Sequence, residues 1–446
     1  MYTFPNGLYS DIRIEDVFET KIELTDGRLD EIKEKEYKGA FIRVFDGKRW
    51  YYSATSDIEG IQDELDDLAK LAEASDAIDN HPVVKKFEVN QGDFCEFTGD
   101  KDIASTNIED KKTLLKGYTD LLKGHDTITS LKSYYVDKRK KKTFYSSKGA
   151  NLTFDFQMAG LRLAFSLKKR DKLFSESYDG SSAVFGDLKN KEKEVQEHFN
   201  KAVEFLNTAE DIKAGKYTVI FSPLAAGVFA HESFGHKSES DFMVGDEAMR
   251  KEWTMGKKVG ADLLSIIDDG NPEGSGHVTF DDEGTRAKKT YLIKDGILSG
   301  RLHSSSTAAY LEEDVTGNGR AINFEYEPIV RMTTTYIDKG NKTLDELISE
   351  VEDGVLVETI KHGSGMSTFT IAPSLAYAIK DGKLSHPLKI SVVSGNVFKT
   401  LNEIDGVSDT IQLHSFVLGG CGKMEQFPLS VGFGGPYVRV NNLDVQ

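Results

Sequence analysis

Two stretches in the first half of the chain, residues 58–77 and 190–214, space their apolar positions with helical period and predict helices. Ahead of the first of them the aromatic and β-branched runs 40–44 and 49–53 predict a strand pair turned by Asp46-Gly47. Past residue 215 the pattern changes. Residues 216–221 form a β-branched and aromatic run that predicts a strand; Ser222 then suits an N-cap and Pro223 a first helical position. From Leu224 to Ala230 every residue is small or apolar, and a helix apolar on all sides is a buried one. Thereafter short strands are expected at 277–281, 289–294, 297–303, 389–394, 411–418 and 437–440, with Asp295-Gly296 and Asp381-Gly382 as turns. The pattern predicts an α+β fold. An N-terminal α/β-type domain, residues 1–215, should pack on a strand-rich, largely antiparallel C-terminal domain, residues 216–446, that carries the buried helix. No low-complexity linker or internal repeat separates them.

That buried helix runs into His231-Glu232-Ser233-Phe234-Gly235-His236. Burying two imidazoles and a carboxylate without partners would cost several kcal/mol, and a metal supplies the partners. Neutral histidines bind Zn²⁺ without cancelling its charge, and a carboxylate beside the first can take a proton from water that the metal acidifies. With 10 histidines in the chain, chance would produce such a pattern in roughly 0.02 of chains of this composition. The histidines stand five apart, whereas zincin histidines stand four apart, one turn above each other. Five residues on a regular helix rotate about 140° out of alignment. The spacing therefore predicts a π-type distortion near residues 233–235, where Gly235 eases bending.

A catalytic zinc takes three protein ligands and keeps a position open. The chain has two cysteines. Cys95 reads as an ordinary buried thiol; Cys421, in Gly419-Gly420-Cys421-Gly422, is the better candidate because the glycines allow close backbone approach, although spacing alone does not select it.

Selection comes from resemblance. The segment 231–236, the stretch Asp281-Asp282-Glu283-Gly284-Thr285, the run Thr316-Gly317-Asn318-Gly319-Arg320 and the terminal Cys421-Gly422-Lys423 resemble, in that order, the TldD/PmbA family of zinc metallopeptidases, and residues 9–15 and 146–150 resemble its weaker signatures. The likeness spans nearly the whole chain. It implies zinc as cofactor, His231, His236 and Cys421 as its ligands, and Glu232 as the catalytic general base and acid. It further implies cleavage of unfolded or short polypeptides, and a homodimer or a heterodimer with a PmbA-type paralogue. PmbA-type members have lost the site, and this chain has the full set. Two positions depart from the family pattern: Ser240 stands where relatives often have Gly, and Lys148 replaces an acidic residue. Glu239 and Asp241 are candidates to receive the free N–H of His236. Alternatives are a zinc-dependent hydrolase of another amide and a regulatory subunit of such a complex.

Composition narrows the rest. The net charge of −17 disfavours nucleic acid and anionic membrane surfaces. No apolar run approaches a membrane span, the first residues show no export pattern, and two distant cysteines argue against a disulfide scaffold, so a cytoplasmic location is expected. Residues 138–142, Lys-Arg-Lys-Lys-Lys, read as a solvated hairpin tip between two strands, and His303 is a candidate for contact with the transition state.

Overall fold

The structure is a computed structural model that describes residues 2–446. Its N-terminal part is a sheet of long strands: β1 (Tyr9–Thr25), β2 (Arg28–Phe45), β3 (Trp50–Thr55), β4 (Ile128–Ser146), β5 (Asn151–Lys169) and β6 (Lys172–Ser182). The order is β3-β2-β1-β4-β5, all antiparallel, and β5 also pairs with β6 and, in parallel, with the short strand Gln91–Phe94. Helix α1 (Ile61–Leu71) buries Ile61, Leu65 and Leu68 against Ile12, Ile42 and Val44. Helices α2 (Ile108–Leu122) and α3 (Glu192–Thr208) bury Leu115, Tyr118, Val195 and Phe199 against Tyr135, Leu163 and Phe165. Both helices expected from periodicity form, shorter than the apolar spacing suggests. At 57–60 the Asp57 carboxylate accepts from the N–H groups of Glu59 and Gly60 and holds a turn instead. Helix α2 was not anticipated.

The basic run is not a hairpin tip. Residues 138–142 lie inside β4, paired on both sides, with Lys138 opposite Glu19 and Lys142 opposite Glu15 on β1. Strand alternation sends Lys138, Lys140 and Lys142 to one face. There Lys138 pairs with Glu19 at 2.5 Å and Lys142 with Asp282 at 2.5 Å. A mid-sheet run of cations is tolerated because carboxylates of β1 and of the C-terminal half stand across from it.

The C-terminal part has two larger sheets. In the ten-stranded one, β7 (Gly215–Phe221) lies between β8 (Asp353–Val357), parallel to it, and β14 (Val438–Val445), antiparallel; the far edge is the hairpin of β9 (Ile360–Gly365) and β10 (Thr368–Pro373). A six-stranded sheet contains β13 (Gly432–Gly435), and β11 (Cys421–Lys423) and β12 (Gln426–Leu429) form a separate hairpin. Most neighbouring strands are antiparallel, and the fold is α+β. The turns at Asp295-Gly296 and Asp381-Gly382 form with positive φ at both residues, 50° and 74°, 48° and 72°. Three expected strands differ. Residues 277–281 are irregular because the Asp281 carboxylate accepts from the Glu283 and Thr285 N–H groups and folds the chain into a turn; within 297–303 the strand is limited to Ile297–Leu298, with Leu302 in an isolated bridge to Glu239; and 389–394 is the junction of Lys383–Lys389 and Val393–Asn396. Among the described residues no helix is long and apolar enough to cross a membrane.

Helix α4 (Pro223–Ala230) is packed between these two sheets, with Ala225, Ala226, Phe229 and Ala230 buried in the largest apolar cluster. Its closest approach is to β13: a Cβ on Gly227 would lie 2.3 Å from the Gly434 nitrogen and 2.5 Å from its Cα. Gly227→Ala is therefore expected to destabilise the protein by about 1–3 kcal/mol, since overpacking against backbone outweighs the helix propensity gained. Gly117→Ala in α2, where an added Cβ meets nothing within 4 Å, should be neutral or stabilising. Calorimetric midpoints of the two variants check the contrast.

Candidate metal centre

Ser222 caps α4, its Oγ accepting from the Ala225 N–H at 3.3 Å, and Pro223 occupies the first turn. At its other end the helix widens. The N–H of His236 donates to the carbonyl of His231, an i to i+5 bond, and residues His231–Gly235 form one π-turn. The extra residue brings both imidazoles to one side, with ring centroids 5.1 Å apart. Gly235 is required by closeness as well as by bending, since a Cβ there would lie 2.0 Å from the Met332 sulfur.

Cys421 reaches the same place from β11. Its Sγ is 3.5 Å from His236 Nε2, and one donor atom from each of His231, His236 and Cys421 lies within 4.8 Å of the others. Arg331 fixes the strand by donating from Nη2 to the Cys421 carbonyl at 2.7 Å. Burial would push the Cys421 thiol up, but hydrogen bonds to His231 and His236 outweigh it and bring it down to about 5. Burial would push the His236 imidazole down, and its bonds to Cys421 and Glu239 instead hold it at about 10. The Nδ1 of His231 is buried without a hydrogen-bond partner among the described residues, so that imidazole is incompletely satisfied, as a metal-binding histidine is before its ion arrives. Two converging imidazoles, His231 buried and His236 half-buried, and a buried, readily formed thiolate fit zinc.

Behind His236 is a buried ionic network. Its Nδ1 faces Glu239 Oε2 at 3.3 Å; Lys423 Nζ lies 3.1 Å from Glu239 and donates to both oxygens of Asp241 at 2.7 Å and to the Val330 carbonyl at 2.8 Å. Burial raises the Glu239 carboxyl, but His236 and Lys423 together keep it below its ordinary range; for Asp241 burial prevails over Lys423 and the carboxyl is raised. Of the two acids expected near His236, Glu239 takes that place and Asp241 pairs with Lys423. Lys423 was missed. The signal was available: two residues after Cys421 on one strand, it projects to the same face. Outer partners of this kind typically set 10–100-fold of metal affinity, so Glu239→Gln is expected to weaken zinc binding about tenfold or more, measured by competition with a chromophoric chelator.

Glu232 is half-buried, and no hydrogen bond or ion pair to its carboxylate is found among the described residues. Strand β9 passes close beside it. A Cβ on Gly363 would lie 2.5 Å from Val228 Cγ1 and 3.8 Å from Glu232 Cγ, and one on Gly365 3.2 Å from Ser233 Oγ. Only a strand of this composition can run so near the helix. His303 has no ring nitrogen to offer a substrate, because Nδ1 meets Thr307 Oγ1 at 3.2 Å and Nε2 meets Glu313 Oε2 at 2.8 Å. Cys95 is half-buried and remote in sequence and sheet from these donors. The acidic segment 281–283 ties the two halves together: Glu283 accepts from Arg43 at 3.1 Å and from the Ser305 N–H at 2.7 Å, and Asp282 pairs with Lys142.

Residues 214–446 match the family described as the PmbA/TldA metallopeptidase C-terminal domain, and residues 10–77 match PmbA/TldA metallopeptidase domain 1. A metalloprotease of Synechocystis sp. is 33% identical over 438 residues, covering 97% of this chain and 94% of the relative. The zinc metalloprotease TldD homolog of Saccharolobus solfataricus is 27% identical over 445 residues, 98% of this chain and 96% of the relative. Two solved structures share the fold: a Thermotoga maritima protein, TM-score 0.79 at 20% identity over 99% of this chain and 96% of that one, and TldE from Thermococcus kodakarensis, TM-score 0.74 at 16% identity over 98% and 96%.

Proposed function

This chain belongs to the PmbA/TldD family of metallopeptidases, and on that premise we propose that it is a zinc-dependent peptidase of unfolded or short polypeptides, with His231, His236 and Cys421 holding the ion and Glu232 moving the proton. The observation that carries this reading is the convergence of two histidines and a cysteine from elements 185 residues apart, with a carboxylate next to His231 in the chain that no hydrogen bond or ion pair engages among the described residues. Zinc bound there would acidify water and polarise a carbonyl, with two neutral imidazoles and one thiolate leaving the site near +1. The residues of the chain do the rest. Glu232 is free to accept a proton from the attacking water and return it to the departing amine nitrogen. Arg331 holds the backbone of Cys421, and Lys423 with Glu239 orients the His236 ring. Strand β9 is an edge of its sheet next to Glu232, so an extended peptide can add to it through main-chain hydrogen bonds, which favours unfolded chains over compact substrates.

The complete donor set and Glu232 weigh against a purely regulatory subunit. The likeness to TldE supports pairing with a paralogue as well as with a second copy, and the pair of unlinked cysteines supports a cytoplasmic setting. The test is cleavage of an unfolded protein such as casein against small chromogenic amides, with the metal removed by chelator and restored as zinc. Cleavage of the polypeptide that disappears with the metal and returns with it is the expected result. Turnover confined to small amides would favour the alternative hydrolase, and metal-independent turnover would overturn the reading.

A further inference from the structure

The three lysines that β4 sends towards the C-terminal half line a cavity of about 80 Å³, closed on the other side by Arg320 and by residues 428–430. It stands close to the metal centre, because Leu429 in its wall is the cross-strand partner of Cys421. Antiparallel partners lie about 5 Å apart, and an extended peptide advances about 3.3 Å per residue. An extended substrate running from the metal centre past Leu429 would cover that separation in about one to three residues.

The charge lining the cavity is unbalanced. Lys138 has Glu19 at 2.5 Å and Lys142 has Asp282 at 2.5 Å. Lys140, only 8% exposed, gives one hydrogen to the Ile322 carbonyl and has its nearest carboxylate, Glu15, at 3.4 Å, shared with Arg13 at 3.2 Å. Arg320, 7% exposed, donates to the carbonyls of Met332 and Ser430 and pairs with no carboxylate among the described residues. Of the lining acids, Asp155 already accepts from the N–H groups of Glu96 and Phe97, and Asp281, raised by burial and by Glu283, is held towards its neutral form. Burial likewise lowers Lys140 to about 7 and Arg320 to about 10; among the described residues Arg320 has no carboxylate partner, and Lys140 shares Glu15 with Arg13, so a further anion in the cavity would stabilise both cations. In a chain of net charge −17 this concentration of positive charge is local and specific.

We propose that this cavity is a substrate subsite for a carboxylate, either an acidic side chain near the scissile bond or the C-terminal carboxylate of a short peptide. The inference rests on the peptidase reading above and adds a preference to it. The experiment compares kcat/KM of the zinc-loaded full chain on three peptides of one backbone sequence: Glu on both sides of the cleaved region with an amidated terminus, Gln at those positions with a free terminus, and Gln with an amidated terminus. One of the first two should exceed the third by about tenfold or more, the scale of one charge-assisted hydrogen bond, and which one does so identifies the source of the carboxylate. The ratio should fall to near one in Lys140→Met and shrink in Lys138→Gln, whose partly exposed side chain makes folding secure. Equal values for all three peptides in the wild type, or a preference that survives both variants, would overturn the subsite while leaving the peptidase reading intact. Should none of the peptides be cleaved, the peptidase reading falls instead. The dissociation constants of the same three peptides, by calorimetry, then decide the subsite: tighter binding of either acidic peptide, lost in Lys140→Met, supports it, and equal binding removes it.

Discussion

Glu232→Gln is expected to reduce turnover on an unfolded peptide by about 10²-fold or more while zinc content and thermal midpoint stay near those of the wild type. The amide nearly matches the carboxylate in shape, and among the described residues Glu232 makes no ion pair whose loss would disturb the fold. Gln cannot accept a proton. A single-turnover assay with wild type and variant matched for zinc content isolates the proton step from substrate binding and product release. Cleavage at the wild-type rate would remove Glu232 from the reaction. The two other acids nearby are poor replacements, because Lys423 engages both Glu239 and Asp241 and Glu239 also faces His236. Loss of zinc together with activity would instead make Glu232 a ligand or the support of one.

What could be read from the chain depended on how local its physical cause was. The cap and first turn of α4 follow from Ser222 and Pro223, and the π-turn from the five-residue spacing of the histidines with Gly235 beside the second. All these causes lie within a few residues of their effects. Cys421 differs. It meets His236 across 185 residues through a small hairpin packed beside two sheets, a placement that no periodicity encodes, and it was selected by resemblance alone. The basic run failed for another reason: strand signals on both flanks are the same for a hairpin tip and for the middle of a nineteen-residue strand. Only the alternation of Glu15 and Glu19 on β1 distinguishes the two, and it can be recognised only once β1 and β4 are known to pair. At 277–281 the strand pattern lost to the Asp281 side chain, whose bonds to the N–H groups of Glu283 and Thr285 replace a ladder with a turn. The candidate site was thus readable where its two histidines and carboxylate are sequence neighbours and hidden where topology brings Cys421 to them.

Cys421→Ala should reduce zinc affinity by more than the 10–100-fold that loss of an outer partner brings, because one of the three proposed ligands is removed. The variant should also change how affinity depends on pH. Without metal the buried thiol, brought down to about 5, and the imidazole of His236, held at about 10, form a thiolate and imidazolium pair at neutral pH. Zinc requires the same thiolate but a neutral imidazole, so its binding must displace one proton from His236. The direction follows: affinity in the wild type rises with pH until that proton is gone, near 10, and falls more steeply below about 5, where the thiol also takes a proton. Alanine removes the largest support for the imidazolium, leaving Glu239 alone to hold it, so the rise should end at lower pH and fewer protons should leave at neutral pH. Titration calorimetry in buffers of differing ionisation enthalpy counts those protons directly. Unchanged affinity and full occupancy in Cys421→Ala would put the third ligand elsewhere; lost affinity with unchanged proton release would keep Cys421 as a ligand and dissolve the pairing with His236.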